Sequence, residues 1–104
     1  MKYVLIKYSL REGSREEWHR DITRFVEAID NDPELRGKIT YRAMKSVGDD
    51  YYHLATAVDQ AAADLLGERE FFDRYTGRTG EVSKGQVEVI PLEVVAATST
   101  PQPA

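Results

Sequence analysis

Cysteine is absent from this 104-residue chain, which removes disulfides, iron–sulfur clusters, zinc ribbons and any thiol nucleophile. Long apolar runs are missing as well. None approaches a membrane span, and Met1-Lys2-Tyr3-Val4-Leu5-Ile6-Lys7 has too short an apolar core for a signal peptide, so a cytoplasmic protein without membrane association is expected. Nor is there a basic excess. The formal charge is −4 with Lys and Arg scattered among acids, so the footprint that phosphate neutralisation needs is lacking and nucleic acid is not an expected partner. No His, Asp and Glu spacing matches a metal site, and Gly77-Arg78-Thr79-Gly80 lacks the strand before and helix after that a phosphate loop requires, so neither metal nor cofactor is expected. A chain of this length fits one domain, read here as residues 1–97, with a sizeable core and no need of staples.

What is present is organised around residues 39–58, ITYRAMKSVGDDYYHLATAV, two alternating runs broken by Val47-Gly48-Asp49-Asp50, residue types that suit a tight turn. This reads as a hairpin. An odd-sum register through the turn sets Ile39, Tyr41, Ala43, Leu54, Thr56 and Val58 on one face and Arg42, Met44, Tyr51, His53, Ala55 and Ala57 on the other. Neither face is fully polar, so cover is expected on both sides.

Ahead of the hairpin, residues 2–10 are apolar on both parities and read as a central strand. Ser14-Arg15-Glu16-Glu17 is a capping box, and Trp18, Ile22, Phe25, Val26 and Ile29 then recur at helical spacing until Asp30-Asn31-Asp32-Pro33. Beyond the hairpin, Asp59 can cap a second helical stretch in which Ala62, Leu65, Leu66, Phe72 and Tyr75 approximate one stripe. Gly67 interrupts it at a cost of about 1 kcal/mol relative to Ala, which predicts two short helices over 60–66 and 68–76, closed by residues 76–80 as a C-cap and loop. The last strand, 86–92, contains Pro91 and belongs at an edge. Residues 93–97 remain apolar and extended, and 98–104 form a Ser/Thr/Pro tail expected to be disordered. The order β-α-β-β-α-β closes as an α+β, ferredoxin-like fold, an antiparallel four-stranded sheet in the order 4-1-3-2 with both helices on one face. The other face, with Met44, Ala55 and Ala57, is too apolar to leave in water, which predicts a homodimer paired sheet to sheet, with residues 93–97 laid on the neighbour as an arm.

The capped Trp18 helix, the Pro33-Glu34-Leu35-Arg36-Gly37 approach to a strand, Tyr52-His53-Leu54, a broken helix carrying Glu70-Phe71-Phe72 and a closing Val87-Glu88-Val89 together resemble the antibiotic-biosynthesis-monooxygenase-like group of dimeric α/β barrels. The resemblance covers residues 1–97 and carries fold better than chemistry. It implies a ferredoxin-like subunit pairing into a dimeric α/β barrel. It also implies an activity drawn from cofactor-independent oxygenases of phenols or quinols, haem-degrading enzymes and proteins without assigned activity. Haem-degrading members place an asparagine late in the first strand, a tryptophan near the end of the third, and an iron-ligating histidine on the helix that follows. Here those places read Lys7-Tyr8-Ser9, Ala57-Val58-Asp59 and a segment 60–76 with no histidine, so haem is not expected. The asparagine and tryptophan of the oxygenase set are likewise elsewhere: Asn31 and Trp18 both lie on the first helix, and no catalytic residue carries over.

His53 is the candidate base, because a histidine inside a strand beside Tyr51 can reach an enclosed space. The competing reading is a packed, hydrogen-bonded histidine at a subunit interface. Arg42 shares its face in the odd-sum register, where a cation would keep His53 neutral and steady an anion; alternatively it snorkels from the sheet edge to a partner's acid. A bent second helix cannot press evenly on a sheet, so an apolar pocket is expected beneath it. Tyr8, Trp18, Ile22, Tyr41, Tyr51, Leu66 and Phe72 would line it. His19, off the apolar stripe, reads as solvated. The functions in view are a binder or oxygenase of a small apolar, aromatic or quinol-like molecule, and a non-catalytic dimeric module that binds a ligand or forms an assembly.

Overall fold

The computed structural model describes residues 1–13 and 15–99, so the capping serine at 14 and the tail from 100 onward lie outside the described residues. The elements are β1 (Lys2–Ser9), α1 (Arg15–Asn31), β2 (Ile39–Lys45), β3 (Asp50–Ala57), α2 (Gln60–Gly67), α3 (Glu70–Val82) and β4 (Glu88–Leu92). The strands form one antiparallel sheet ordered β2-β3-β1-β4, the order expected, with the doubly apolar β1 and β3 in the middle and Pro91 on an edge. Among the described residues no helix is long and apolar enough to cross a membrane.

The hairpin register is the main correction. Ser46 donates its N–H to the Asp50 carbonyl at 2.9 Å, which leaves the three residues Val47, Gly48 and Asp49 in the loop. An odd loop gives an even-sum register, with Tyr41 opposite Ala55, Ala43 opposite His53 and Lys45 opposite Tyr51. One residue of slip moves every side chain of one strand to the other face. Ile39, Tyr41, Tyr51, His53, Ala55 and Ala57 therefore share a face with Tyr8, Ile6 and Val4. Arg42, opposite Leu54, points the other way together with Met44.

The helices pack on the face of His53. Trp18, Ile22, Phe25 and Ile29 of α1, Ala62 and Leu66 of α2 and Tyr75 and Val82 of α3 close a core with Tyr8, Ile39, Tyr51 and Ala57. The opposite face carries Tyr3, Leu5, Tyr52, Leu54, Ile90 and Leu92 and has no cover from this chain's helices. Residues 93–97 form no strand and are exposed, Val95 to 98%.

The second helical stretch breaks as expected but ends later. At the break Arg69 takes an extended conformation, φ −76° and ψ 135°, and its guanidinium reaches Asp32 at 2.8 Å and Glu34 at 2.9 Å in the turn after α1. Residues 76–80 are not a C-cap and loop: α3 runs through Gly77 and Gly80 to Val82. The helix survives two glycines because Tyr75, Thr79 and Val82 continue a buried stripe. Burying a valine is worth about 1.5–3 kcal/mol against about 1 kcal/mol lost per glycine. Arg78 adds an ion pair to Asp21 of α1 at 3.3 Å, and the Arg11 N–H caps Val82 O at 2.8 Å.

A Cβ built on Gly77 or Gly80 would meet nothing within 4 Å. Gly77→Ala and Gly80→Ala are each expected to stabilise the fold by about 0.5–1 kcal/mol in thermal or urea unfolding. Gly37→Ala should destabilise it, because φ there is +81°. Destabilisation by both α3 substitutions would show that this half of the helix is not formed in solution.

Candidate functional site

The central strand β3 presents His53 to the helices with no exposure at all. Cross-strand geometry places phenols on either side of it: Tyr8 comes from β1 and Tyr41 from β2, each two residues along its strand from the residue opposite His53. The Tyr8 hydroxyl lies 2.9 Å from His53 Nε2, and the Tyr41 hydroxyl 2.6 Å from Nδ1. From above, Tyr75 of α3 brings its hydroxyl to 3.2 Å from Nδ1 and 3.1 Å from the Tyr41 hydroxyl. Trp18 of α1 donates its indole N–H to the Tyr8 oxygen at 2.7 Å.

The rings hold these groups rigidly. Tyr75 lies face to face with Phe25 at 3.8 Å between centroids and with Trp18 at 5.4 Å, while Tyr8 stacks on Tyr51 at 5.2 Å. The Tyr51 hydroxyl in turn lies 2.7 Å from Nε2 of His19. Among the described residues no buried side-chain nitrogen or oxygen lacks a partner.

Proton accounting fixes the tautomer. An indole N–H only donates, so the Tyr8 oxygen accepts from Trp18 and its own proton goes to His53 Nε2. His53 then carries its proton on Nδ1 and donates to Tyr41, the nearer phenol. Tyr41 and Tyr75 share a single contact, so one of their two protons is surplus. Tyr75 is buried and Tyr41 only half-buried as a residue, which assigns the surplus proton to Tyr41. His53 is thus an acceptor toward the core and a donor toward Tyr41.

Burial pushes His53 down to about 4, so the imidazole is neutral at neutral pH. Burial likewise pushes Tyr41 up to about 12 and raises Tyr8 and Tyr75 further, so the phenols keep their protons.

Of the residues expected at the site, His53, Tyr8, Trp18 and Tyr41 meet in one network and Tyr51 stacks against it. Arg42 does not join them: the register puts it on the opposite face, and burial alone keeps His53 neutral. Ile22, Leu66 and Phe72 are core packing. Beneath the broken helix the stacked rings of Trp18, Phe25 and Tyr75 occupy the space where a cavity was expected. A cleft of about 160 Å³ is bordered by Tyr8 and Tyr51 together with Lys7, Ser9, Asp50 and Lys84, so these two of the expected lining residues do border an opening, and an open groove of about 650 Å³ runs past Arg11, Arg15, Arg20 and Asp49. Sequence reasoning placed Tyr75 on the helical stripe but missed its role at His53; its spacing from Phe72 was the available signal. His19 is half-buried and bonded to Tyr51, not solvated. Among the described residues no group of three or more His, Cys, Asp or Glu side chains could hold a metal ion.

The architecture is that of the antibiotic biosynthesis monooxygenase structures. One of these, a crystal structure of an antibiotic biosynthesis monooxygenase, superposes with a TM-score of 0.77 over 92% of this chain and 100% of its own, at 15% identity. Rv0793 from Mycobacterium tuberculosis gives 0.77 over 94% and 98%, at 15% identity, and a conserved protein from Methanosarcina mazei Go1 gives 0.75 over 88% and 89%, at 14%. At such identities the likeness is one of fold. No family model matches the chain. A stretch of 59 residues, 57% of the chain, is 36% identical to GPN-loop GTPase 1 of Dictyostelium discoideum, and spans 15% of that protein's length.

The depressed His53 value has a consequence for stability. Between about pH 6.5 and pH 4 the unfolded chain binds a proton at this imidazole and the folded chain does not, so stability falls as pH drops through that window. The loss attributable to His53 approaches about 3 kcal/mol near pH 4. His53→Gln should show a shallower decline than the wild type in urea titrations at pH 7, 5.5 and 4. Parallel declines would mean that His53 is already charged in the folded protein.

Proposed function

We propose that this protein binds a small phenol- or quinol-like molecule at His53 and acts on it as a cofactor-independent oxygenase of the kind its fold suggests. The observation that carries this reading is the interior itself: a buried, neutral imidazole that holds a phenol hydroxyl on each ring nitrogen, inside a nest of stacked rings. Such an environment suits a ligand ring and its hydroxyl as well as it suits tyrosine. A quinol reacts with dioxygen more readily as its anion; in this reading its phenolic proton leaves to solvent and the resulting ligand oxyanion accepts from the Nδ1–H of His53, the part first given to Arg42. Acting as a base would need the opposite tautomer, which strands the proton of Tyr8. Composition favours the cytoplasm as its place.

Oxygen uptake over a panel of quinols and polyphenols, guided by mass spectrometry of small molecules that co-purify from cells, tests this. His53→Ala should lower turnover by about a hundredfold or more. Turnover untouched by that change would remove His53 from the chemistry.

A non-catalytic dimeric module is the second reading. One observation favours it: among the described residues every buried side-chain nitrogen and oxygen has a partner without any ligand. A panel that yields neither binding nor oxygen uptake would support it.

In either case we infer a homodimer joined through the uncovered sheet face. Its residues are not those first expected, since Ala55 and Ala57 belong to the helix side. Tyr3, Leu5, Tyr52, Leu54, Ile90 and Leu92 replace them and, with Met44, form the apolar part of a face that also carries Lys7, Arg42, Thr56 and Glu88. The interface should bury more than about 2,000 Å² in total. Light scattering should show a dimer at micromolar concentration for the wild type and a monomer for Leu54→Asp. A chain ending at Leu92 should dimerise more weakly if residues 93–97 lie on the partner. A well-folded wild-type monomer would refute the dimer, and unchanged association after truncation would refute the arm alone.

A further inference from the structure

The core around His53 is filled, so a ligand that reaches the imidazole must replace a side chain already there. Three phenols touch it. Tyr8 stands on a central strand, 5% exposed, held by Trp18 at 2.7 Å and stacked on Tyr51. Tyr75 is 8% exposed and lies between the faces of Phe25 and Trp18. Displacing either would dismantle the core.

Tyr41 is held differently. It projects from β2, an edge strand, and is only half-buried. It meets Phe25, His53 and Tyr75 at interplanar angles of 82°, 82° and 84°, and none of these contacts is a stack. Its hydroxyl accepts from His53 Nδ1 at 2.6 Å and carries the network's surplus proton, so moving it to water strands no donor of its own.

We propose that Tyr41 is a built-in phenol occupying the ligand position. Rotation about its Cα–Cβ bond carries the ring outward and opens a slot one aromatic ring in size. A monocyclic phenol or quinol then sets its oxygen on His53 Nδ1 and its ring beside Phe25 and Tyr75. The proposal rests on the phenol-binding reading above and adds to it the gate and the size of the ligand. It explains why a phenol already sits on His53 Nδ1: the chain supplies its own occupant, and the ligand competes with an intramolecular group.

The test is an NMR titration of the full-length wild type, carrying ring-labelled tyrosine, with p-cresol. At saturation the Tyr41 ring signals should move toward those of free tyrosine while those of Tyr8 and Tyr75 stay near their starting positions. Tyr41→Ala should bind p-cresol more tightly than the wild type does, and about tenfold or more tighter than it binds toluene, which has the ring without the oxygen. Equal binding of toluene and p-cresol by Tyr41→Ala would mean a generic void and overturn the proposal. The wild-type titration decides the matter if the variant does not fold. Binding or oxygen uptake with Tyr41 unmoved overturns the gate and leaves the phenol-binding reading standing. A silent wild type beside a selective variant also overturns the gate, and p-cresol bound by neither protein overturns both.

Discussion

A neutral imidazole at zero exposure is the constraint around which the interior is arranged. A buried ring of this kind is tolerable only if both nitrogens find partners, since an unmet polar group in the core costs about 1–3 kcal/mol. The partners come from separate elements: Tyr8 from β1, Tyr41 from β2, Tyr75 from α3, with Trp18 of α1 completing the bonding of Tyr8. One side chain therefore couples the sheet to both halves of the helical layer. The polar ends of four aromatic rings meet at the centre, while their apolar bodies supply the packing area of a small domain.

The helical layer is positioned by charge as well as by rings. Arg69, 24% exposed, holds the break between α2 and α3 to Asp32, 14% exposed, and Arg78 ties the far half of α3 to Asp21. These are surface pairs and each contributes little by itself, but together they link α3 to α1 and to the turn after it. Among the described residues no ion pair of this kind reaches β2. That strand pairs on one side only, and its side chains from Thr40 to Lys45 are exposed apart from the half-buried Tyr41.

Much of the architecture was legible in the residues. Alternating runs, the Trp18 stripe, the Gly67 interruption and Pro91 were enough for the element order, the strand order and the edge placement of β4, because each reflects a local rule of backbone or periodicity. The site was legible in its members but not in its geometry: His53, Tyr8, Trp18 and Tyr41 were singled out, yet with an arginine beside the histidine and an open space above it. Both errors came from quantities that no local rule sets. Whether the turn holds an even or an odd number of residues depends on how two whole faces bury, and whether a bent helix leaves a gap depends on the rings beneath it.

The sequence by itself determined the class of fold, the supply of aromatic hydroxyls and the exclusion of thiol chemistry, because composition and spacing act through short-range propensities and hydrophobic periodicity. Tertiary structure alone decided that Arg42 faces away from His53, that α3 runs past two glycines to Val82, and that the histidine is ringed by phenols with its donor turned toward Tyr41. Those outcomes rest on register, burial and hydrogen-bond completion between residues far apart in the chain, which exist only once the strands have paired and the core has closed.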